Sequence, residues 1–156
     1  MSKKEEPANQ NQQQTPPIVI NTQYIKDLSL EIPHAPDIFR NLDNKKPEIN
    51  IDVNVNANHM HDNFFNISLK INMNGIITGQ PLFLLELDYA CVASLNIPKE
   101  HIEPVLLIEI PRLLFPYARN IVTNTLVNGG LPPFMLNPID FVAMYQKRGE
   151  KPKAQA

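Results

Sequence analysis

The chain has 156 residues, which suits one domain rather than two. Apolar residues make up 43% of it and charged residues 19%, with a net charge of -2 at pH 7. Because no excess of basic residues is available to displace counterions from a phosphate backbone, a nucleic-acid partner is not expected. Its 15 prolines exclude a simple helical bundle, since proline interrupts helix interiors and central strands alike.

Cysteine usage and the hydropathy of the first residues indicate the compartment. The single cysteine, Cys91, cannot form an intramolecular disulfide, so a reducing compartment is expected. The first residues are basic and then polar, without the apolar core of a signal peptide. No window approaches the roughly 18 consecutive apolar residues of a membrane span. The sequence therefore predicts a soluble, cytoplasmic protein with no membrane insertion.

The two ends of the chain differ in composition from the middle. Residues 1–17 are rich in Asn and Gln and carry almost no apolar surface to offset conformational entropy, which predicts a disordered tail. Residues 149–156 are short, basic and polar, and are also expected to be disordered. The predicted globular domain is therefore 18–148.

The first half of the domain has the pattern of an antiparallel sheet. Residues 48–57 and 65–74 alternate strictly between apolar and polar side chains, which predicts two strands with one dry and one wet face. The polar segment 58–63 is expected to join them as a hairpin. A third strand is predicted at 82–92, and a less regular one at 18–32, where following prolines impose an extended edge.

The pattern becomes helical after residue 98. Three prolines are expected to break 100–117 into short pieces, so the first regular helix should cover 112–128, with Pro116 tolerated only in its first turn. The Gly129-Gly130 pair is a typical helix end. One apolar stripe recurs at three- and four-residue spacing along this helix: Leu114, Tyr117, Ala118, Ile121, Val122 and Thr125.

A second helix is predicted near the C-terminus. Asn137 can cap it, Pro138 suits its first position, and Asp140 lies three residues beyond the cap. From there it should run through Phe141, Met144 and Tyr145 to Arg148. The predicted fold class is α+β, with a four-stranded antiparallel sheet followed by two C-terminal helices.

No residue pattern predicts catalysis. His59 and His61 have no further ligands near them in sequence and are expected to be exposed turn residues rather than metal ligands. Cys91 lies on an apolar strand face, where a thiol is buried and inert. Glu86 and Asp88 share a strand face and could form an acid–base pair, but a solvated sheet face explains them better. We therefore expect no enzyme, no metal and no cofactor.

The apolar content exceeds what the predicted elements can bury. One sheet and two modest helices leave apolar surface over, including that of residues 105–108. Large exposed apolar patches mark interaction surfaces. Either copies of the chain associate, or the chain binds other apolar polymers, or both. An ordinary core with a loose loop is the remaining interpretation.

Four segments of the chain resemble one family. They are Ser-Leu-Glu-Ile-Pro-His-Ala-Pro at 29–36, Leu-Phe-Pro-Tyr-Ala-Arg at 114–119, Gly-Gly-Leu-Pro-Pro-Phe at 129–134 and Leu-Asn-Pro-Ile-Asp-Phe at 136–141. In this order they resemble SecB, a bacterial protein-export chaperone family. The resemblance covers residues 22–146, and Phe-Pro-Tyr-Ala-Arg followed by Gly-Gly-x-Pro-Pro is a specific combination.

The resemblance to SecB implies a homotetramer, built as a dimer of dimers, in which the first helix supplies much of the assembly core. It implies no catalytic activity and no required cofactor. It also implies two kinds of partner: unfolded precursor proteins awaiting export, and the export motor SecA, which receives them. Closed two-fold symmetry of this kind buries the same patch on both copies.

The resemblance also assigns two binding surfaces. The client groove would contain Leu42, Ile49, Ile51, Val53, Phe141, Met144 and Tyr145, although some of these could instead fill the core. Many relatives carry a Trp in the crossover loop where this chain reads Asn-Leu-Asp-Asn-Lys-Lys at 41–46. The surface for SecA would be an acidic patch on the solvent side of the sheet, made of Asp27, Glu31, Leu84 and Glu86.

Two other functions stay open on the sequence. A SecB-like chaperone could be dedicated to one toxin–antitoxin partner, and an apolar groove could carry a small ligand. Relatives often end in an acidic tail, whereas this chain carries Lys147, Arg148, Lys151 and Lys153. Contacts that the tail makes with the motor are therefore expected to differ.

Overall fold

The computed structural model describes residues 15–149 and contains one antiparallel sheet with helices on one of its faces. Its strands are β1 (Ile18–Glu31), β2 (Glu48–His61), β3 (Phe64–Ile77) and β4 (Gln80–Leu95). Their order across the sheet is β1-β4-β3-β2, and every neighbouring pair is antiparallel. The predicted α+β class and its four-stranded sheet are confirmed.

Residues 1–14 and 150–156, which hold most of the two predicted disordered tails, lie outside the described residues. The last residues before β1 contact the sheet, because the amide of Asn96 donates to the carbonyl oxygen of Pro17 at 2.9 Å. The limits of the domain at 18 and 148 stay a prediction.

Alternation along the central strands gives the sheet one apolar and one polar face. Leu69 and Ile71 of β3 lie opposite Tyr89 and Leu87 of β4, and these four side chains are buried beneath the helices. The residues between them, such as Lys70, point to the opposite face. Side chains that alternate in sequence therefore separate into a core layer and a solvent layer.

The hairpin between β2 and β3 is tighter than predicted. β2 continues to His61 and β3 begins at Phe64, so the prediction of a turn over residues 58–63 was wrong. Only Asp62 and Asn63 form the turn, and Asp62 adopts a φ of 46°. Asp and Asn tolerate this left-handed region better than most residues, so the polar composition reflects the turn but overstates its length.

The helical segment after the sheet is continuous rather than broken. α1 (Lys99–Pro104), a π-helical turn (Val105–Glu109) and α2 (Ile110–Asn128) follow one another directly. The prediction that prolines fragment this segment was therefore wrong. Pro111 has no amide hydrogen and its ring crowds the carbonyl four residues earlier, at Leu107. Leu107 lies in the widened π turn, which accommodates that clash.

The interior and the end of α2 differ in how well they were predicted. Pro116 lies inside the helix and not in its first turn, contrary to expectation. Pro116 has no amide hydrogen to donate to the carbonyl oxygen four residues earlier. Because Pro116 is exposed, a water molecule can donate that hydrogen bond instead. The predicted stop is confirmed: Gly130 has a φ of 81°, and the amide of Leu131 donates to the carbonyl of Leu126 at 3.0 Å.

The last helix, α3 (Phe141–Gly149), begins later than predicted. The carboxylate of Asp140 accepts a hydrogen bond from the amide of Ala143 at 3.0 Å, which makes Asp140 the cap. Asn137 does not start the helix, so that prediction was wrong. Leu136 is buried against the core and holds the preceding segment in an extended path, which moves the helix start along the chain.

A close approach between β3 and β4 gives a test of this packing. A Cβ added at Gly75 would lie 2.5 Å from Cε1 of the buried Phe83 ring. Gly75→Ala is therefore expected to lower the free energy of unfolding by about 1–3 kcal/mol in urea denaturation, because the ring must leave its position. Gly149→Ala is the matched control, since no atom lies within 4 Å of the added Cβ.

The pair Gly75→Ala and Phe83→Leu separates this clash from general damage. A smaller side chain at position 83 leaves room for the new methyl group, so the double variant should lose less stability than the sum of the two single variants. Strict additivity would contradict the proposed contact.

Candidate functional site

The polar face of the sheet brings the predicted motor-binding residues together. β1 and β4 are neighbours, and their register sets Glu31 opposite Leu84 and Ser29 opposite Glu86. All of the predicted residues are exposed, with Leu84 at 41%. We call this surface the acidic face: Asp27, Glu31, Leu84 and Glu86. Its geometry is a group of carboxylates around one exposed leucine.

Two further carboxylates extend the acidic face. Asp88 follows Glu86 by two residues on β4. It is 9% exposed, so the prediction of a solvated side chain was wrong for this residue, and it accepts a hydrogen bond from the hydroxyl of Ser68. Asp52 of β2 lies opposite Asn72, which in turn lies opposite Glu86. Asp52, Asn72 and Glu86 line a depression of about 220 Å³. Strand alternation puts Asp52 and Asp88 on the polar face. Neither was predicted as part of the motor-binding surface, although Asp88 was considered with Glu86 as an acid–base pair.

The start of β2 forms one wall of an apolar cavity of about 400 Å³. Among the predicted client-binding residues, Ile49 lines it. Ile51 and Val53 follow on the same side of β2, and Ile51 is 43% exposed. Leu42 is half-buried in a 3₁₀ helix (Asp37–Asp43) that precedes the strand. We call the apolar cavity at the start of β2 the proline groove. Its walls include Ile49, Phe83, Leu126, Leu131, Pro133 and Phe134.

A second cavity of about 400 Å³ lies further along β2, between this strand and α3. Met144 and Tyr145 line it from the helix, and Val55 and Leu107 also contribute. We call it the α3 groove. The structure therefore places Ile49 of β2 and the pair Met144 and Tyr145 of α3 at two separate cavities along one edge strand, rather than in a single groove.

Several predicted surface residues are part of the core instead. Phe141 is 2% exposed, and its ring packs edge-on against Phe115 with centroids 6.1 Å apart. Leu114, Ala118 and Val122 of the predicted assembly stripe are each 0% exposed, because this side of α2 packs on β3 and β4. In the described part of the chain these residues are thus covered within one protomer.

A different side of α2 is uncovered. Tyr117 is 54% exposed and stacks against Tyr89, while Ile121 and Thr125 are half-buried. Uncharged, exposed residues recur here at three- and four-residue spacing. We call them the α2 stripe: Leu113, Pro116, Tyr117, Asn120, Asn124 and Val127. On the neighbouring β1, Ile25 and Leu28 are also exposed, which enlarges the uncovered apolar area.

The remaining sequence candidates have local roles. Cys91 is fully buried, and burial raises the pKa of its thiol to about 11, so it stays protonated at neutral pH. His59 and His61 lie against the rings of Phe65 and Phe64. Within residues 15–149, no three His, Cys, Asp or Glu side chains converge in a way that could hold a metal ion.

Comparison with known proteins identifies the family. A family model described as preprotein translocase subunit SecB matches residues 11–152. The chain belongs to the SecB family. Protein-export protein SecB of Rhodospirillum rubrum is 51% identical over 140 residues, covering 90% of this chain and 87% of that one. The SecB of Paramagnetospirillum magneticum is 50% identical and covers 90% of both chains.

A solved structure has the same fold. It is a SecB-like chaperone of Mycobacterium tuberculosis in complex with a peptide from an antitoxin, with a TM-score of 0.64 and 13% sequence identity. The match covers 78% of the SecB-family chain described here and 90% of the other. The resemblance drawn from the four sequence segments is thus confirmed. In the part of the chain that the structure describes, no helix is long and apolar enough to cross a membrane.

Sequence reasoning missed the groove walls that come from outside regular patterns. Leu107 belongs to an apolar run that the prolines were expected to break, and Phe134 lies in a connection with no periodicity. The only sequence signal for them was the excess of apolar residues in these two segments. Their position beside β2 depends on the π turn and on the extended path after α2.

Proposed function

We propose that this SecB-family chain is a holding chaperone that binds unfolded precursors and passes them to the motor SecA. It needs neither ATP nor another cofactor and carries out no catalytic step. The observation that carries the proposal is the pair of open grooves along the edge strand β2, each of which presents apolar side chains. Two relatives that are 51% and 50% identical to this chain are named protein-export protein SecB, which supports the export role.

The grooves have the properties that binding of an unfolded chain requires. Apolar side chains are irregularly spaced in unfolded proteins, so two broad cavities hold more sequences than one shaped pocket. The adaptable Met144 suits such a site. A segment held in this way cannot complete its own core, which delays folding. The proposed client contacts are the accessible members of the predicted set: Leu42, Ile49, Ile51, Val53, Met144 and Tyr145.

The proposed role implies a compartment. Precursors are made in the cytoplasm, so a chaperone that holds them before export works there.

A chaperone dedicated to a toxin–antitoxin partner is the second candidate function, and the antitoxin peptide bound to the SecB-like fold neighbour favours it. Since that neighbour is 13% identical, its partner supports the second candidate less than the closer relatives support export.

Refolding of a client tests the holding function. A slowly folding, signal-bearing precursor diluted from denaturant should regain native fluorescence more slowly when the chaperone is in several-fold molar excess, without nucleotide. Ile51→Ser should weaken this effect about fivefold, since an exposed isoleucine that becomes covered contributes on the order of 1 kcal/mol.

Met60→Ser is the matched control for Ile51→Ser, because Met60 is similarly exposed at 48% but lies at the tip of the β2–β3 hairpin. It should retard refolding as strongly as the native chain. Refolding at an unchanged rate with excess chaperone would contradict the holding function.

The α2 stripe supports a proposed homotetramer, a dimer of dimers. An uncharged helix face with Leu113 and Tyr117 more than half exposed, beside Ile25 and Leu28 of β1, is the kind of surface that association covers. The predicted residues Tyr117, Ile121 and Thr125 remain accessible to such contacts, whereas Leu114, Ala118 and Val122 support them from beneath.

Native mass spectrometry tests the assembly. The native chain should have four times the protomer mass, and Leu113→Glu with Tyr117→Glu should dissociate it at the same concentration, because charges placed in a dry interface lose their hydration. Met60→Glu introduces a charge at an exposed apolar residue elsewhere and should leave the mass unchanged. A monomeric native chain, or an intact tetramer in the double variant, would refute the proposal.

The acidic face supports docking of the motor. Asp27 of β1 lies directly opposite Asp88 of β4, and Glu31 and Glu86 follow on the same face. Like charges at opposite positions of two strands lower stability unless a basic partner neutralises them. Such a surface also steers a basic partner toward the exposed Leu84. We propose that SecA contacts the four residues of the acidic face, with Asp52 and Asp88 widening the negative field.

A charge-neutralised variant tests the motor site. Asp27→Asn, Glu31→Gln and Glu86→Gln together should weaken SecA binding about tenfold in a titration at low salt, since each exposed ion pair contributes up to about 1 kcal/mol. The control Asp43→Asn, Asp62→Asn and Glu103→Gln removes the same charge away from the acidic face. Equal affinities of the two variants would exclude the acidic face as the docking site.

A further inference from the structure

The α3 groove combines an apolar floor with a basic rim. Val55, Leu107, Met144 and the ring of Tyr145 supply the apolar surface. Three cationic side chains line the same cavity, namely Lys70, Lys147 and Arg148, and all three are exposed. No Asp or Glu lines it in the part of the chain that the structure describes. The groove is thus amphipathic and positively charged.

The charge of this rim is available to a ligand. Among residues 15–149, no carboxylate lies within ion-pair distance of Lys70, Lys147 or Arg148. The carboxylate opposite Lys70 in the sheet register is Asp88, which accepts a hydrogen bond from Ser68. The positive field above the groove is therefore not neutralised by a direct pair in the described chain.

The proline groove lacks this character. Lys46 is the one charged residue on its walls within the described chain, and prolines, aliphatic residues and aromatic rings form the rest. The two cavities along β2 therefore differ in the ligands they favour, although both have apolar surface and a similar volume of about 400 Å³.

We propose that the α3 groove selects client segments in which acidic side chains alternate with apolar ones. This inference rests on the proposed holding function and specifies which sequences this groove prefers. β2 is an edge strand, and its outer edge pairs with no strand within residues 15–149. An extended segment lying along it directs alternate side chains to opposite faces of the sheet.

That alternation fits the two surfaces of the groove. Side chains on the helix side meet Leu107 and Met144, which favour apolar groups. Side chains on the polar side meet Asn54, Asn56 and Lys70, and those at the rim meet Lys147 and Arg148. Carboxylates suit the second set because they accept hydrogen bonds from the amide of Asn56 and pair with the cations, whereas the amide of Asn54 already donates to the carboxylate of Asp52 at 3.1 Å.

Binding of two labelled peptides tests the inference. Both carry the same apolar residues at alternate positions, with Glu between them in one peptide and Gln in the other. Fluorescence anisotropy at low salt should show roughly tenfold tighter binding of the Glu peptide to the native full-length chain, and the difference should shrink as ionic strength rises.

Matched variants assign the preference to the groove. Lys70→Gln, Lys147→Gln and Arg148→Gln together should abolish the preference for the Glu peptide, so that the two peptides bind with equal affinity. Lys26→Gln, Lys45→Gln and Lys99→Gln remove the same charge from outside the groove and should preserve it. Equal binding of both peptides to the native chain, or equal loss in both triple variants, would overturn the inference.

Two outcomes separate this inference from the proposed function. Binding of the Gln peptide and of an unfolded precursor, without any preference for Glu, contradicts only the acidic selectivity. Failure of the native chain to bind either peptide or the precursor contradicts the holding function itself. A change of native mass in the groove variant would identify the groove as an interface between copies, which also overturns the inference.

Discussion

The helical layer is narrower than the sheet it covers, and the exposed surfaces of the protein follow from that constraint. α2 packs on β3 and β4, whose apolar side chains on the helix side are almost completely buried. β1 and β2 are the two edge strands, and each keeps apolar side chains uncovered on the helix side, Ile25 and Leu28 on one and Ile51 on the other. A core of this size therefore coexists with two separate apolar margins.

The polar face of the sheet gives the two margins different electrostatic surroundings. Carboxylates concentrate toward β1 and β4, whereas Lys70, Lys147 and Arg148 gather beside β2 and α3. Between them the face carries asparagines such as Asn72 and Asn74, which are polar without adding charge. The acidic face and the basic rim of the α3 groove thus attract partners of opposite charge, and Asp52 on β2 and Asp88 opposite Lys70 bring the two fields next to each other.

The sequence predicted the sheet better than the helices, for a physical reason. Alternation with a period of two identifies both the strand and its buried face. Every second residue from Ile67 to Met73 and from Leu85 to Cys91 could therefore be assigned to the core in advance. A proline-rich helix is different, because Pro111 prevents a regular turn but the backbone can widen locally. That adjustment depends on tertiary packing and leaves no mark in the sequence.

The candidate surfaces were predicted to different degrees for a related reason. The members of the acidic face share one side of two neighbouring strands, so alternation and the family resemblance together located them. The apolar stripe of α2 was recognised, but periodicity shows only that Leu114, Ala118 and Val122 share a face, not that the sheet of the same protomer covers it. Phe141 was assigned to the groove for the same reason, since a buried and an accessible aromatic residue look alike in sequence.

The proposed holding of clients by weak contacts rests on the position of the two grooves along one strand. Ile49 in the proline groove and Val55 in the α3 groove are six residues apart on β2, which is about 20 Å in an extended strand. A client segment of similar length lying along the edge reaches both cavities, and the second contact then forms at a high effective concentration. Each cavity can therefore remain shallow and unselective for side-chain shape, while the pair holds an extended segment longer than either cavity alone. The edge strand sets this spacing, and its regular geometry makes the spacing the same for every client.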